Sequence, residues 1–99
     1  MDTIRLDRYV FETLMADLVA HDRSPSSFLV YLALAARTKG RRPKPVRTSH
    51  RELAEETGLS KSAVQAAIRN LVRRRLVAAS HASPTAVPEY AVLRPWRRR

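Results

Sequence analysis

The sequence predicts a small, mainly α-helical domain that carries one β-hairpin near its C-terminal end. Its 99 residues, 44% of them hydrophobic, suffice for one domain with one core. Several segments in the first three quarters of the chain place apolar residues at helical spacing, and serines precede three of the predicted helices as caps. Two short apolar segments after residue 75 are separated by a loop with two prolines, which is typical of a hairpin.

The first helix is expected over residues 7–21, after an N-terminal arm of residues 1–6. Apolar residues recur there at i, i+3, i+4, i+7 and i+8, which favours one helical stripe packed into the core. These residues are Phe11, Leu14, Met15, Leu18 and Val19.

The second helix is expected to begin after Ser24, with Pro25 in the first turn, where its missing N–H costs nothing. It is expected to end near Lys39, with Gly40 as the C-cap. Apolar side chains surround most of it, so we expect a central helix in which Tyr31 is a core residue rather than a ligand contact.

Segment 39–47 holds two prolines, one glycine and five basic residues, which predicts a loop that ends in a short edge strand at Val46 and Arg47. Ser49 and Glu52 then form a Ser-x-x-Glu capping box, and Gly58 ends the helix that follows.

Ser60 caps the next helix, which is expected to run to about Arg74. Its apolar stripe consists of Val64, Ala67, Ile68, Leu71 and Val72. Strands are expected over residues 76–80 and 89–94, joined by the loop 81–88, and residues 95–99 form a basic tail that Trp96 would anchor.

The positive charge is concentrated in one part of the chain. The formal net charge is +10 and the pI is about 11.4, yet residues 1–38 hold four arginines against five acids. Residues 39–99 hold fifteen lysines and arginines against four glutamates. This asymmetry indicates a polyanionic partner, although a solvated charged surface is the simpler alternative.

Composition argues against several other classes. Without cysteine there is no disulfide, thiolate zinc site or cysteine nucleophile, and two glycines leave no glycine-rich phosphate loop. The three histidines lack metal-ligand spacing, and no nucleophile has a base beside it, so we expect no enzyme, metal or other cofactor. The longest apolar run, nine residues, is too short to span a membrane, and no signal peptide is evident. We therefore expect a soluble cytoplasmic protein associated with the nucleoid.

The order of helix, glycine turn, helix and strand in residues 49–77 resembles the helix-turn-helix of winged-helix DNA-binding proteins. The Glu-Leu-Ala at residues 52–54 and the Gly-Leu-Ser at residues 58–60 match that pattern, and the resemblance extends over residues 24–94. It is closest to bacterial regulators of the GntR and MarR kind and to the N-terminal domains of plasmid and phage replication initiators. It implies one winged-helix domain over residues 1–99, with a three-helical core, an extra N-terminal helix and a wing.

The resemblance also implies a function, namely sequence-specific binding of double-stranded DNA by a bacterial, phage or plasmid transcriptional regulator. The alternatives are the DNA-binding domain of a replication-initiation or partition protein, or a winged helix that binds RNA or protein. No small-molecule ligand or membrane partner is expected. The sequence leaves open whether the protein forms a homodimer through its N-terminal helix.

The candidate DNA-binding residues follow from where each would lie on a duplex. Gln65 suits the edge of adenine, while Lys61 and Arg69 suit guanine or a phosphate. Four further segments suit the DNA backbone, because amides, hydroxyls and cations bind phosphate. They are the N-terminal ends of the two motif helices, the basic loop, the arginines that end the second motif helix, and the basic tail. Arg73 and its two neighbours would also stabilise the helix dipole without DNA. The complete set is Ser49, His50, Arg51, Ser60, Lys61, Ser62, Gln65, Arg69, Arg41, Arg42, Lys44 and Arg73.

Overall fold

The protein has a helical core and a small antiparallel sheet, as the sequence predicts. The computed structural model describes residues 2–38 and 44–97. In these residues helix α1 consists of two segments, Val10–Leu14 and Asp17–His21, and is followed by α2 (Pro25–Arg37), β1 (Val46–Arg47), α3 (His50–Thr57), α4 (Lys61–Arg73), β2 (Val77–Ser80) and β3 (Glu89–Val92). Buried side chains from every one of these elements form a single hydrophobic cluster.

Helix α1 lies where it is predicted, but it is wound more widely than an α-helix. Its amides donate to carbonyls five residues back, as in the 2.9 Å bond from Asp22 N to Asp17 O. In this wider turn residues four apart share a face while residues three apart do not, so the buried row is Val10, Leu14 and Leu18. The predicted stripe is therefore wrong in part, because its other three residues are exposed; these are Phe11, Met15 and Val19.

Helix α2 is the central element, as predicted, and packs against the other three helices and β3. The hydroxyl of Ser24 accepts a hydrogen bond from Ser27 N and so caps its start. Its predicted end is wrong. Thr38 is the C-cap, because both its amide and its hydroxyl donate to the carbonyl of Ala35; Gly40 lies outside the described residues. Tyr31 is a core residue that donates to Leu93 O at 3.0 Å, and burial raises its pKa to about 12.

A tight turn joins α3 to α4 in the way that the sequence predicts. The hydroxyl of Ser49 accepts from Glu52 N at 3.0 Å and Glu52 Oε1 accepts from Ser49 N at 3.0 Å, which completes the capping box. Gly58 adopts a φ of +79°, which few other residues tolerate, and so lets the chain turn sharply into α4. These local signals fix the relative placement of the two motif helices.

The wing is a three-stranded antiparallel sheet in the order β1-β3-β2. The predicted edge strand at Val46 is confirmed and pairs with Tyr90, while Val77 pairs with Val92. The two longer strands are shorter than predicted, since β2 begins at Val77 and β3 ends at Val92. Beyond their ends one backbone bond persists, from Leu93 N to Leu76 O at 2.9 Å.

The C-terminal segment is anchored to the N-terminal segment through Asp7. Trp96 stacks on Tyr9 with ring centroids 4.6 Å apart and donates its indole N–H to Asp7 Oδ2 at 2.8 Å. Arg97 donates to both oxygens of the same carboxylate at 2.6 Å. The hydrogen bonds from Arg97 and Trp96 lower the pKa of Asp7 to about 2.

We predict that Asp7→Asn lowers the free energy of unfolding by about 1–2 kcal/mol at pH 7, because the carboxylate loses its charge-assisted bonds. The pKa of Asp7 falls on folding, so its contribution is complete above the usual value of 3.8 and disappears as the pH falls through about 2. Urea unfolding from pH 7 to pH 2 should therefore show the two proteins converging in acid. Asp2→Asn, at an exposed aspartate, is the control, and equal stabilities of Asp7→Asn and the wild type at pH 7 would contradict the prediction.

Candidate nucleic-acid interface

The exposed side of α4 carries a row of four polar or basic residues. Lys61, Gln65, Arg69 and Arg73 are spaced four apart and so follow one another along a single face of the helix. The cations are exposed and Gln65 is half-buried. The opposite face packs into the core through Val64, Ala67, Ile68 and Leu71. The fold therefore presents together the α4 residues that the sequence analysis assigns to DNA.

Two serines lie at the start of α4. The hydroxyl oxygen of Ser60 accepts from Ala63 N at 3.1 Å, and it lies 3.2 Å from the hydroxyl of Ser62. Both residues are exposed. Capping uses Ser60 as an acceptor, which leaves its hydroxyl proton able to donate to an anion.

The start of α3 is less suited to binding anions than the sequence suggests. The amide of Ser49 already donates to Glu52, and that hydrogen bond holds the pKa of the Glu52 carboxyl below its usual value. The capping box thus places a negative charge beside the predicted phosphate contact. Arg51 is exposed, and its Nε lies 3.8 Å from Glu55, which is a loose pair.

Burial and nearby positive charge favour the neutral form of His50. Burial lowers its pKa most, and the charges of Lys61 on α4 and of His81 at the start of the wing loop lower it further. His81 is the one basic residue of the wing loop 81–88.

The basic loop is described in part. Lys44 is exposed, while Arg41 and Arg42 lie outside the described residues. The prediction for those two arginines stays a prediction.

Ion pairing separates the cations of the described residues into two groups. Several are held by acids, as Arg47 is by Glu89 at 2.8 Å and Arg37 is by Glu56 at 2.7 Å. In residues 2–38 and 44–97, Lys44, Lys61 and Arg69 have no carboxylate within 4.0 Å. Unpaired cations keep their field toward solvent, and two of these three, Lys61 and Arg69, lie on the same helix, α4.

A polar network that sequence reasoning missed holds the C-terminal half of α4. The carboxylate of Asp22 is 5% exposed and accepts from Asn70 Nδ2 at 3.0 Å, while Arg74 Nε lies 3.2 Å from it. Asn70 Nδ2 also donates to the buried Ser27 Oγ at 3.0 Å, and Arg74 donates to Asp17 at 3.0 Å. The hydrogen bonds from His21 and Asn70 and the charge of Arg74 keep the pKa of Asp22 low, although burial works to raise it.

This network corrects two expectations. Asn70 is 8% exposed and occupies a core position, whereas Val72, which belongs to the predicted stripe, is 40% exposed. Among the arginines that end α4, Arg74 is held by two aspartates, and Arg73 donates to Asn70 Oδ1. The asparagine within the apolar stripe was the signal in the sequence, but its partners lie more than 40 residues away.

The tail is also only partly available for DNA. Arg97 is bound to Asp7, and the last two arginines lie outside the described residues. The suggested anchoring by Trp96 agrees with its contacts to Tyr9 and Asp7.

Comparison with models of known protein families gives a match. The model of a protein family described as a helix-turn-helix domain matches residues 24–77, which run from the cap of α2 to the first residue of β2. The comparisons with curated proteins and with solved structures gave no match. In the described residues no helix has the length and apolar character needed to cross a membrane, and no group of three acids or histidines is arranged to hold a metal ion.

We predict that Asn70→Ala lowers the free energy of unfolding by about 1–3 kcal/mol, because the carboxylate of Asp22 and the buried hydroxyl of Ser27 each lose one hydrogen-bond donor. Gln65→Ala is the matched control, since it removes a similar amide from the exposed side of the same helix and should change stability by less than about 0.5 kcal/mol. Urea unfolding at pH 7 measures both variants. Equal stabilities would show that the network does not hold α4.

Proposed function

Because the chain belongs to the helix-turn-helix domain family, we propose that it binds double-stranded DNA sequence-specifically, as a transcriptional regulator in the cytoplasm of a bacterium, associated with the nucleoid. Helix-turn-helix domains are typically binding domains rather than enzymes. The observation that carries the proposal is the row of basic and amide side chains along α4, in which Lys61 and Arg69 have no carboxylate within 4.0 Å among the described residues.

The proposed arrangement follows from the dimensions of DNA. A major groove about 12 Å wide admits one helix, and the edges of the bases carry distinct donor and acceptor patterns there. With α4 in the groove, Gln65 would pair with adenine, and Lys61 and Arg69 would contact guanine or phosphate. Ser60 and Ser62 would donate to phosphate at the groove edge, where the N-terminal amides of α4 favour an anion.

The remaining candidate residues are proposed to contact the DNA backbone. Arg51 and His50 lie in the first turn of α3, which would cross the phosphates while α4 enters the groove. Ser49 would lie close to the DNA backbone at the start of α3, although its amide already donates to Glu52 in the capping box. Lys44 and the two loop arginines, Arg41 and Arg42, would extend the contact, as would Arg73 at the far end of α4.

The other functions that the sequence leaves open share this surface. A replication-initiation or partition protein would use the same DNA contacts, so it differs in its DNA target rather than in its interface. A winged helix that binds protein would show little dependence on salt. One that binds RNA would meet a deep, narrow major groove that excludes α4, and would lose the dependence on base sequence that Gln65 provides.

We predict two results for duplex DNA that carries a selected binding site. If about five phosphates are contacted, log K falls with log salt at a slope near −4 to −5. Gln65→Ala costs about 1–3 kcal/mol on the selected site and little on random DNA, whereas Arg51→Ala weakens binding to both equally. Fluorescence anisotropy over a salt series measures these changes.

The control is Arg8→Ala, which removes an exposed arginine just before α1 and should leave both affinities unchanged. A salt slope flatter than about −2, or equal losses on both DNAs for Gln65→Ala, would contradict the proposed interface.

We further propose that two copies of the chain pair through α1. Phe11, Met15 and Val19 are 48%, 41% and 38% exposed and form one row. Residues 2–23 carry a net charge of −2, whereas residues 44–97 carry +6, so two copies meet with least repulsion at α1. Antiparallel pairing centred on Met15 sets Phe11 of one copy against Val19 of the other, which is the self-complementarity that a two-fold axis requires.

We predict that Met15→Glu weakens self-association at least about tenfold, because it places two carboxylates at the centre of the apolar contact. Sedimentation equilibrium of the two proteins measures the change. Thr13→Glu, at an exposed position outside the row, is the control and should leave association intact. A wild-type protein that stays monomeric at about 100 μM would rule out the pairing at any physiological affinity.

A further inference from the structure

Two arginines of the described residues adopt a backbone conformation that normally belongs to glycine. Arg23 has a φ of +52° and Arg75 a φ of +59°, and in residues 2–38 and 44–97 no other residue except Gly58 has a positive φ. Each directly follows the C-cap of a helix, Asp22 for α1 and Arg74 for α4. Two backbone hydrogen bonds form the capping turn at Arg75, a turn in which glycine is usual. One runs from Arg75 N to Val72 O and the other from Leu76 N to Leu71 O.

The two turns are brought together by the buried network. Arg74 Nε lies 3.2 Å from Asp22 Oδ2, so the residues immediately before Arg23 and Arg75 are in contact. Both arginines are exposed, and within the described residues neither has a carboxylate within 4.0 Å. Asp17 and Asp22 make their ion pairs with Arg74, and neither lies within 4.0 Å of a guanidinium nitrogen of Arg23 or Arg75.

This pair of arginines lies where the basic row of α4 ends. From Lys61 to Arg73 the helix rises about 18 Å, which exceeds the width of a major groove, about 12 Å. With the N-terminal half of α4 inside the groove, its C-terminal end therefore emerges at the sugar-phosphate backbone. Arg73 and Arg75 lie at that end, and Arg23 follows Asp22, which contacts Arg74 there.

A positive φ is unfavourable for a side chain with a Cβ, and such strain concentrates at functional sites. We propose that Arg23 and Arg75 form a second phosphate-binding contact, which clamps the DNA backbone where α4 leaves the major groove. This inference rests on the proposed DNA binding and adds to it a contact that comes from two separate turns. The Asp22–Arg74 pair positions the clamp and does not itself touch DNA.

The test separates side-chain charge from backbone strain. Glycine at either position removes the charge but suits the positive φ, so the double variant Arg23→Gly/Arg75→Gly should unfold at the same temperature as the wild type or a higher one. Its DNA affinity at low salt should fall about tenfold, and the salt slope should become shallower by about two units because two phosphates are released. Arg23→Lys/Arg75→Lys keeps both charges and should retain most of the affinity and the slope.

Arg8→Ala serves again as the control, because it removes one exposed arginine far from these two turns in sequence. Ethylation interference should show two phosphates that matter for the wild type and not for the double glycine variant. If the glycine variant keeps the wild-type affinity and slope while Gln65→Ala still loses its preference for the selected site, the clamp is wrong and the proposed function stands. If neither the wild type nor any variant binds duplex DNA, the proposed function fails with it.

Discussion

The carboxylate of Asp22 is the point at which three helices meet. Asp22 is the C-cap of α1. Its carboxylate accepts a hydrogen bond from Asn70 on α4, and Asn70 also donates to Ser27 at the start of α2. A carboxylate that is 5% exposed is stable only with such partners, because an unpaired charge in the interior is strongly unfavourable. The position of α4, and with it every side chain that α4 presents, therefore depends on α1, an element outside the three-helical core of the fold.

The same acids shape the electrostatic field of the molecule. Asp17 and Asp22 hold Arg74, and Asp7 holds Arg97, so acids of the N-terminal segment neutralise cations that come from the C-terminal half. Lys61 and Arg69 meet no such acid in the described residues. In a chain with a formal charge of +10, ion pairing thus neutralises some cations and leaves others, Lys61 and Arg69 among them, without an acid. Folding determines which cations are paired with acids and which are not, and counting charges along the sequence does not reveal this.

How far the sequence predicts the structure depends on the range of each interaction. The caps at Ser24, Ser49 and Ser60 and the turn at Gly58 are determined by residues within four positions, and all four were predicted correctly. The apolar stripe of α1 was predicted for ordinary winding and failed in part because the helix is wider. The aspartates and the serine that bind Asn70 and Arg74 lie 43 to 57 residues away in the sequence. The buried face of α4 and the ion pairs of the arginines at its end could therefore be read only from the folded structure.

The contact of Asp7 with Trp96 and Arg97 joins the N-terminal and C-terminal segments of the described residues. The first and last described segments lie side by side, joined by a carboxylate and by the stacking of Trp96 on Tyr9. A short linker between them would close the backbone into a ring without stretching it, and new ends could then be opened at an exposed loop such as residues 81–88. Protein segments fused to either end would leave the domain from the same place.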